Sequence, residues 1–352
     1  MLQFGMDYGR GARPEILNRI CSLNMQGLSG YGEDEISKAS RKKILEECGL
    51  HEGMVFFLVG GTQTNAVAID WLLRPGEGVI AADSGHINVH ESGAIESDGH
   101  KVIPLGAKDG RLDADDLREY LSEFFADPTW PHMVTPGMVY ISQPTELGTL
   151  YTLSQLKALR KVCDDFGLKL YIDGARLIYA LGSPKNDVTL QDLAALADAF
   201  YIGGTKCGTL FGEALVIPGP YTDRERTRLF SLIKRHGALL AKGWLTAAQF
   251  DVLIGEGLYK KIGKEAVDLA LKLKAEMQSL GLHPFIDSHT NQQFFTLPNE
   301  AARQLARTVS YDIWGAPGPT HTQIRLVTDW ATTPDTLDQL LATLRRLPML
   351  FT

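Results

Sequence analysis

The chain has 352 residues, of which 44% are hydrophobic and 22% charged, with a formal net charge of −7. That length holds one large domain or two, and the apolar content suffices for a sizeable core. The acidic balance, with a pI of about 5.7, argues against nucleic acid or an anionic membrane as the main partner.

The four cysteines (Cys21, Cys48, Cys163, Cys207) form no C-x-x-C pair and no metal spacing. A reduced, cytoplasmic setting without a metal site is therefore expected. The N-terminus lacks a basic stretch followed by an apolar one, and no apolar run approaches the ~18 residues of a membrane span.

In chain order, helical spacing marks 14–23 and 34–48. Residues 55–59 read as a fully buried strand, followed by Gly60-Gly61-Thr62-Gln63-Thr64-Asn65 and a helix over 62–73. Strands follow at 79–82, 102–105, 138–142, 168–172 and 199–202, with helices over 114–125 and 153–166 between them. Such alternation builds a mostly parallel sheet covered on both faces, with loops at the strands' carboxyl ends converging on one crevice. Residues 211–218 read as a strand turning straight back, antiparallel.

From about Tyr221 the pattern changes. Helices are expected over 222–235, 238–256 and 257–280, then short strands near 284–287, 293–297 and 323–328, and a terminal helix over 334–347. The fold class expected is α/β: a large domain over 1–240 built on the parallel sheet, and a smaller α+β domain over 241–352. No polar linker separates them, so the two should pack closely.

Chemistry collects at the ends of these strands. Asp173 closes one strand in Tyr-Ile-Asp-Gly-Ala-Arg, and Lys206 follows another, 33 residues later, in Tyr-Ile-Gly-Gly-Thr-Lys-Cys-Gly. A lysine and a carboxylate so placed suit pyridoxal phosphate. The lysine forms a Schiff base with the aldehyde, and the acid keeps the pyridine nitrogen protonated so that the ring accepts electrons.

Gly60-Gly61-Thr62 lets the backbone approach an anion at a helix start, whose N–H groups suit a phosphate. The same residues also fit a plain strand-to-helix turn with a threonine cap. No Walker A spacing and no G-x-G-x-x-G after a strand occurs, so a nucleotide-binding protein of another class fits less well. His86, after the strand at 79–82, is suited to stack on a pyridine ring or move a proton near neutral pH; His90 reads as a local packing residue.

These pieces, in this order, resemble a family. Gly-Tyr-Gly-Glu-Asp (30–34), Gly-Gly-Thr-Gln-Thr-Asn (60–65), His86-Ile87 with Glu91-x-Gly93, Asp173-Gly174-Ala175-Arg176 and Gly204-Thr205-Lys206 are similar to the low-specificity L-threonine aldolases. These aldolases belong to the fold-type-I pyridoxal phosphate enzymes, the aspartate-aminotransferase-like group that also holds the β-eliminating lyases.

The resemblance implies the following roles. Lys206 carries the cofactor, Asp173 pairs with the pyridine nitrogen and His86 stacks on the ring. Gly61 and Thr62 hold the phosphate. Arg176 lies near the ring oxygen and the substrate carboxylate, and Arg325 grips that carboxylate. Tyr31 reaches into a partner subunit's site, as in a homodimer or homotetramer.

Three departures stand out. Glu146 occupies the place of a histidine that faces the substrate hydroxyl, so it either takes that role or pairs with a nearby cation. Lys242 stands where relatives have a phosphate-reaching arginine. Met6-Asp7 replaces a Ser-Asp pair.

The expected activity is cleavage of a small β-hydroxy-α-amino acid, of the L-threonine or L-allo-threonine type, to glycine and an aldehyde. Lys206, Asp173, His86 and Glu146 form the expected catalytic set. The alternative keeps the cofactor and performs β-elimination, racemisation or transamination.

Overall fold

The computed structural model describes residues 1–255 and 257–347. Residue 256, at the end of the helix expected over 238–256, and the last five positions of the expected C-terminal domain lie outside the described residues.

Among the described residues, thirteen strands fall into three sheets. The main sheet contains β2 (Gly53–Leu58), β3 (Glu77–Ala82), β4 (Val102–Leu105), β5 (Thr135–Ser142), β6 (Lys169–Asp173), β7 (Ala199–Gly203) and β8 (Glu213–Pro218). Its order is β2-β8-β7-β6-β5-β3-β4. The pairs from β7 through β4 are parallel, and β8 runs antiparallel to both β7 and β2. The expectation of a parallel sheet with one returning strand is met.

Side chains alternate cleanly across this sheet. Val55, Ile80, Val139, Ile141, Ile172, Phe200 and Val216 enter the core on one face. Met54, Val79, Tyr140, Tyr171, Tyr201 and Ile217 enter the core on the other. A strand buried on both faces has no polar side to show, which explains the continuous apolar runs in the sequence.

Helices close both faces, and their ends are chemically marked. Asp34 caps the helix Glu35–Glu47 by accepting from Ser37 N at 2.8 Å. Thr152 and Gln155 form a reciprocal capping box at the start of Leu153–Phe166, and Gly167 ends that helix in the left-handed conformation.

The second sheet holds β9 (Pro284–Ile286), β10 (Gln292–Pro298), β12 (Asp312–Ile313) and β13 (His321–Val327), in the order β12-β13-β10-β9 and antiparallel throughout. Phe295 and Ile324 of this sheet pack with Leu273 and Leu340 in a separate core.

Three short strands were not expected from the sequence: β1 (Leu2–Gln3), β11 (Val309–Ser310) and β12. β1 pairs in parallel with β11, so the N-terminus joins the C-terminal unit. Two residues carry no readable alternation, so their pairing is decided by tertiary contact alone.

The helix expected over 238–256 begins only at Trp244. Gly237 has φ +66°, and the chain from there to Gly243 turns rather than winds. Helix Leu258–Ser279 and helix Pro334–Leu344 lie where helices were expected.

Candidate active site

Register brings the chemistry into one row. Ser142 on β5 lies opposite Asp173 on β6. Glu213, the first residue of β8, lies opposite both Gly203 on β7 and Leu58 on β2. The row marks the edge where the parallel strands end. Below it lies a cavity of about 200 Å³ lined by Gly60, Gly61, Thr62, His86, Asp173, Arg176, Lys206 and neighbours.

Asp173 is fixed from four directions. Tyr201 Oη donates to its Oδ1 at 2.6 Å and Ala175 N at 2.9 Å. Tyr140 Oη donates to Oδ2 at 2.7 Å and Asn65 Nδ2 at 3.0 Å. Burial alone pushes this carboxyl up, but the nearby His86 and the Tyr201, Tyr140 and Ala175 hydrogen bonds outweigh it and hold it below the ordinary range. It is a carboxylate at any physiological pH, as a partner for a protonated ring nitrogen must be.

Lys206 follows β7, and its backbone carbonyl is tied by Tyr179 Oη at 2.7 Å. Burial, with Arg176 nearby, pushes its amine down from the ordinary lysine value. No hydrogen bond reaches its Nζ among the described residues. A lowered, unencumbered amine is a competent nucleophile.

The helix Gly61–Leu72 starts at the cavity wall, and no side chain caps it. Its first N–H groups therefore face the cavity without a protein acceptor, as a phosphate site requires. A Cβ on Gly61 would stand 3.1 Å from Tyr201 Oη, so glycine keeps this approach open.

His86 opens a short turn after β3. Its Nδ1 lies 2.7 Å from Glu91 Oε1, which also accepts from Asn65 Nδ2 at 2.8 Å. The buried Glu91 carboxylate thus orients the imidazole and leaves its other nitrogen toward the cavity.

Glu146 sits in the loop after β5. Gln143 and Tyr151 close that loop with bonds of 3.1 and 3.0 Å, and Thr145 N donates to Thr149 O at 3.0 Å. Glu146 Oε1 accepts from Ser142 Oγ at 2.6 Å and from His86 N at 3.0 Å. Burial pushes the Glu146 carboxyl up. No cation pairs with it among the described residues, so the expectation of an ion-pair partner finds no support.

A second chamber of about 500 Å³ adjoins the first and shares His86, Glu146, Arg176 and Lys206 with it. Arg325 lies there on β13, with Nη1 donating to Gln292 Oε1 and Nη2 to Asp312 Oδ2, both at 2.8 Å. His90 lines this chamber too, beyond the local packing role expected for it.

Arg176 is gripped by Asp7 through Nε at 2.7 Å and Nη2 at 3.1 Å, which leaves Nη1 to the cavity. Asp7 is fully buried and also accepts from Asn291 at 3.0 Å, so the N-terminal segment orients this arginine.

Two residues singled out in the sequence lie elsewhere. Lys242 is exposed and lines neither chamber. Tyr31 is 45% exposed, with φ +60° and Lys234 Nζ 4.7 Å from its ring centre.

Sequence reasoning missed the parts played by Asn65, Tyr140, Tyr201, Asp7 and Glu213. The tyrosines carry a signal in retrospect: Tyr140, Tyr171 and Tyr201 each stand two residues before the end of a neighbouring strand.

The donor set fits pyridoxal phosphate: a free lysine amine, a pinned carboxylate and an uncapped helix start around one cavity. Comparison with known proteins agrees. The model of the β-eliminating lyase family matches residues 11–297. A low-specificity L-threonine aldolase of Pseudomonas aeruginosa is 31% identical over 285 residues, covering 78% of each chain. The solved threonine aldolase of Leishmania major is 40% identical, covers 99% of each chain and superposes with a TM-score of 0.94. An aspartate aminotransferase of Thermus thermophilus, at 15% identity and a TM-score of 0.69, shares the fold. With fold, cavity and matches in agreement, the chain belongs to the β-eliminating lyase family of fold-type-I pyridoxal phosphate enzymes.

Proposed function

We propose that this chain is a pyridoxal phosphate-dependent aldolase that cleaves a β-hydroxy-α-amino acid, of the L-threonine or L-allo-threonine type, to glycine and an aldehyde. The observation that carries the reading is the shared boundary of the two chambers, where Lys206, Arg176, His86 and Glu146 meet between Asp173 and Arg325. The relatives named as threonine aldolases support it.

Bound pyridoxal phosphate supplies an electron sink for the bond cleaved at the substrate's Cα. The chain's own residues do the rest. Lys206 would hold the aldehyde carbon, Asp173 would keep a proton on the ring nitrogen, and His86 would lie against the ring. Gly61, Thr62 and the first N–H groups of their helix hold the phosphate.

Arg325 and the free Nη1 of Arg176 bind the substrate carboxylate, and so decide which Cα bond lies in line for cleavage. Glu146 accepts the proton of the β-hydroxyl as the Cα–Cβ bond breaks and the aldehyde carbonyl forms. Burial raises the Glu146 carboxyl, which makes it a stronger base near neutral pH.

A second reading, β-elimination, is favoured by the family's own description. There the unpartnered Lys206 amine would remove the Cα proton. Incubating the protein with L-threonine, L-allo-threonine and L-serine separates the two. Aldehyde and glycine together establish aldol cleavage, keto acid and ammonia establish elimination, and no product from any of them removes both readings.

The proposal includes a homodimer or homotetramer, supported by the exposed Tyr31, Met6, Leu17 and Leu210. It also includes a cytoplasmic setting, supported by four free cysteines. A division into two units is supported by the two separate large sheets, while Phe250, Leu253 and Ile262 of the 241–352 unit sit in the core of the main sheet.

A further inference from the structure

One buried acid of the cavity has no task in the chemistry above. Glu213 is 3% exposed and lines the cavity together with Lys206 and Asp173. The register sets it between the ends of β2 and β7, the two strands whose following turns carry Gly60–Thr62 and Gly204–Lys206. Its Oε2 accepts from Gly204 N at 3.0 Å.

The rest of β8 is Ala-Leu-Val-Ile-Pro, so this carboxyl is the exception in an apolar strand. A buried acid is costly unless it is paired or kept neutral. The charge of Lys206 acts on Glu213, yet no salt bridge joins the two among the described residues.

We propose that Glu213 is a positioning residue that governs the proton on Lys206: in its neutral form it leaves the amine free to capture the cofactor's aldehyde, and in its ionised form its charge across the cavity favours the ammonium. The inference rests on the reading of this cavity as a pyridoxal phosphate site.

Desolvation pushes the Glu213 carboxyl up to about 7, against the downward pull of hydrogen bonds from Thr205 and Gly204 N and of the charge on Lys206. Its charge therefore changes around neutral pH. The acid, phenols and thiol around it are held away from that range. Asp173 is held down as a carboxylate. Tyr171, Tyr201, Tyr259 and Cys207 are pushed well above their ordinary values by burial. Asp7 and Arg176, which act on Lys206, are locked in their ion pair. His86 lies in the same cavity but is bonded to Glu91.

The test compares apoprotein of wild type and Glu213→Gln. Capture of pyridoxal 5′-phosphate is timed by visible absorbance from about pH 6 to about pH 8.5. Affinity for 4-deoxypyridoxine 5′-phosphate, which has no aldehyde, is measured alongside. Glutamine mimics the neutral acid at every pH. The variant-to-wild-type ratio of capture rates should rise from about one at the acid end to about tenfold at the basic end, the effect of roughly one pKa unit on Lys206. Titration of the cofactor's phosphate occurs in both proteins and divides out.

A ratio that is the same at every pH, whatever its size, overturns the proposal, because damaged packing acts uniformly. Glu213→Asp, which keeps a carboxyl, should retain the wild-type profile; an Asp variant that follows Gln also overturns it. Failure of wild type to bind either compound removes the cofactor reading instead.

Discussion

Asp173 shows how a residue acquires a function from its neighbours. A lone aspartate at a strand end is an ordinary helix cap; with Tyr201, Tyr140, Asn65 and Ala175 N donating to it, it becomes a fixed negative charge. Asp173→Asn keeps the shape and loses that charge, so turnover should fall by roughly 100-fold or more in steady-state kinetics, as when one preorganised electrostatic group is removed. Lys206→Ala should abolish turnover, and borohydride reduction of the holoenzyme followed by peptide mapping should label Lys206. A label on Lys242 or Lys169 would reassign the anchor. Glu146→Gln should lower kcat by about 100-fold or more with little change in KM, since a base acts mainly in the transition state. It should also change the rate ratio between L-threonine and L-allo-threonine. The site's ionisable ends were legible in the sequence because each follows a strand. The polar tips that tune them were not, because Tyr140 and Tyr201 look like ordinary strand aromatics until the register places them beside Asp173.

At the scale of elements, the cofactor-holding turns depend on close backbone approach. A Cβ on Gly174 would run into the Tyr201 carbonyl, and one on Gly203 into the carbonyls of Ala175 and Gly174. The two turns after β6 and β7 thus lean on each other with no room for a side chain. The helix Gly61–Leu72, whose start forms the phosphate cradle, is clamped near its other end by Asp70. Asp70 accepts from Arg235 and from His236 Nε2 at 2.9 Å, tying this helix to Asp223–Arg235. Asp70→Ala should cost about 2 kcal/mol of stability in urea denaturation, the size of a partly buried charge-assisted hydrogen bond. A loss confined to a few tenths of a kcal/mol would show the clamp to be a solvated surface pair.

For the whole molecule, pH acts on stability through opposite groups. Asp7 and Asp173 are held below the ordinary 3.8, so the stability they contribute is present at neutral pH and is lost as pH falls through their folded values. Glu213 runs the other way. In the fold it keeps its proton up to about pH 7, whereas unfolded it ionises near 4.5. Across that window the unfolded chain binds fewer protons than the folded one, so stability falls as pH rises. Thermal melts of apoprotein at about pH 5 and pH 7.5 should therefore show wild type losing more stability over the interval than Glu213→Gln; equal losses would mean that Glu213 is ionised in the fold throughout. The assembled molecule should be at least a dimer, with the exposed Tyr31, which does not line its own chain's cavity, available to a partner subunit. Light scattering at assay concentration that showed an active monomer would remove Tyr31 from the site.

The sequence by itself determined the alternation of strands and helices, the returning strand after Lys206, and the placing of Gly61, Asp173 and Lys206 at strand ends. These are local properties: apolar runs, caps and turn residues act within a few positions of themselves. Only the tertiary structure decided what stands across from what. Strand order set Ser142 beside Asp173 and Glu213 between Leu58 and Gly203. The N-terminal segment, whose partner the sequence does not show, delivers Asp7 to Arg176 over 169 residues of chain. Register and chain crossing are long-range choices, settled by burial of two sheet faces at once, and the electrostatics of Lys206 and Glu213 follow from that burial rather than from any neighbouring letter of the sequence.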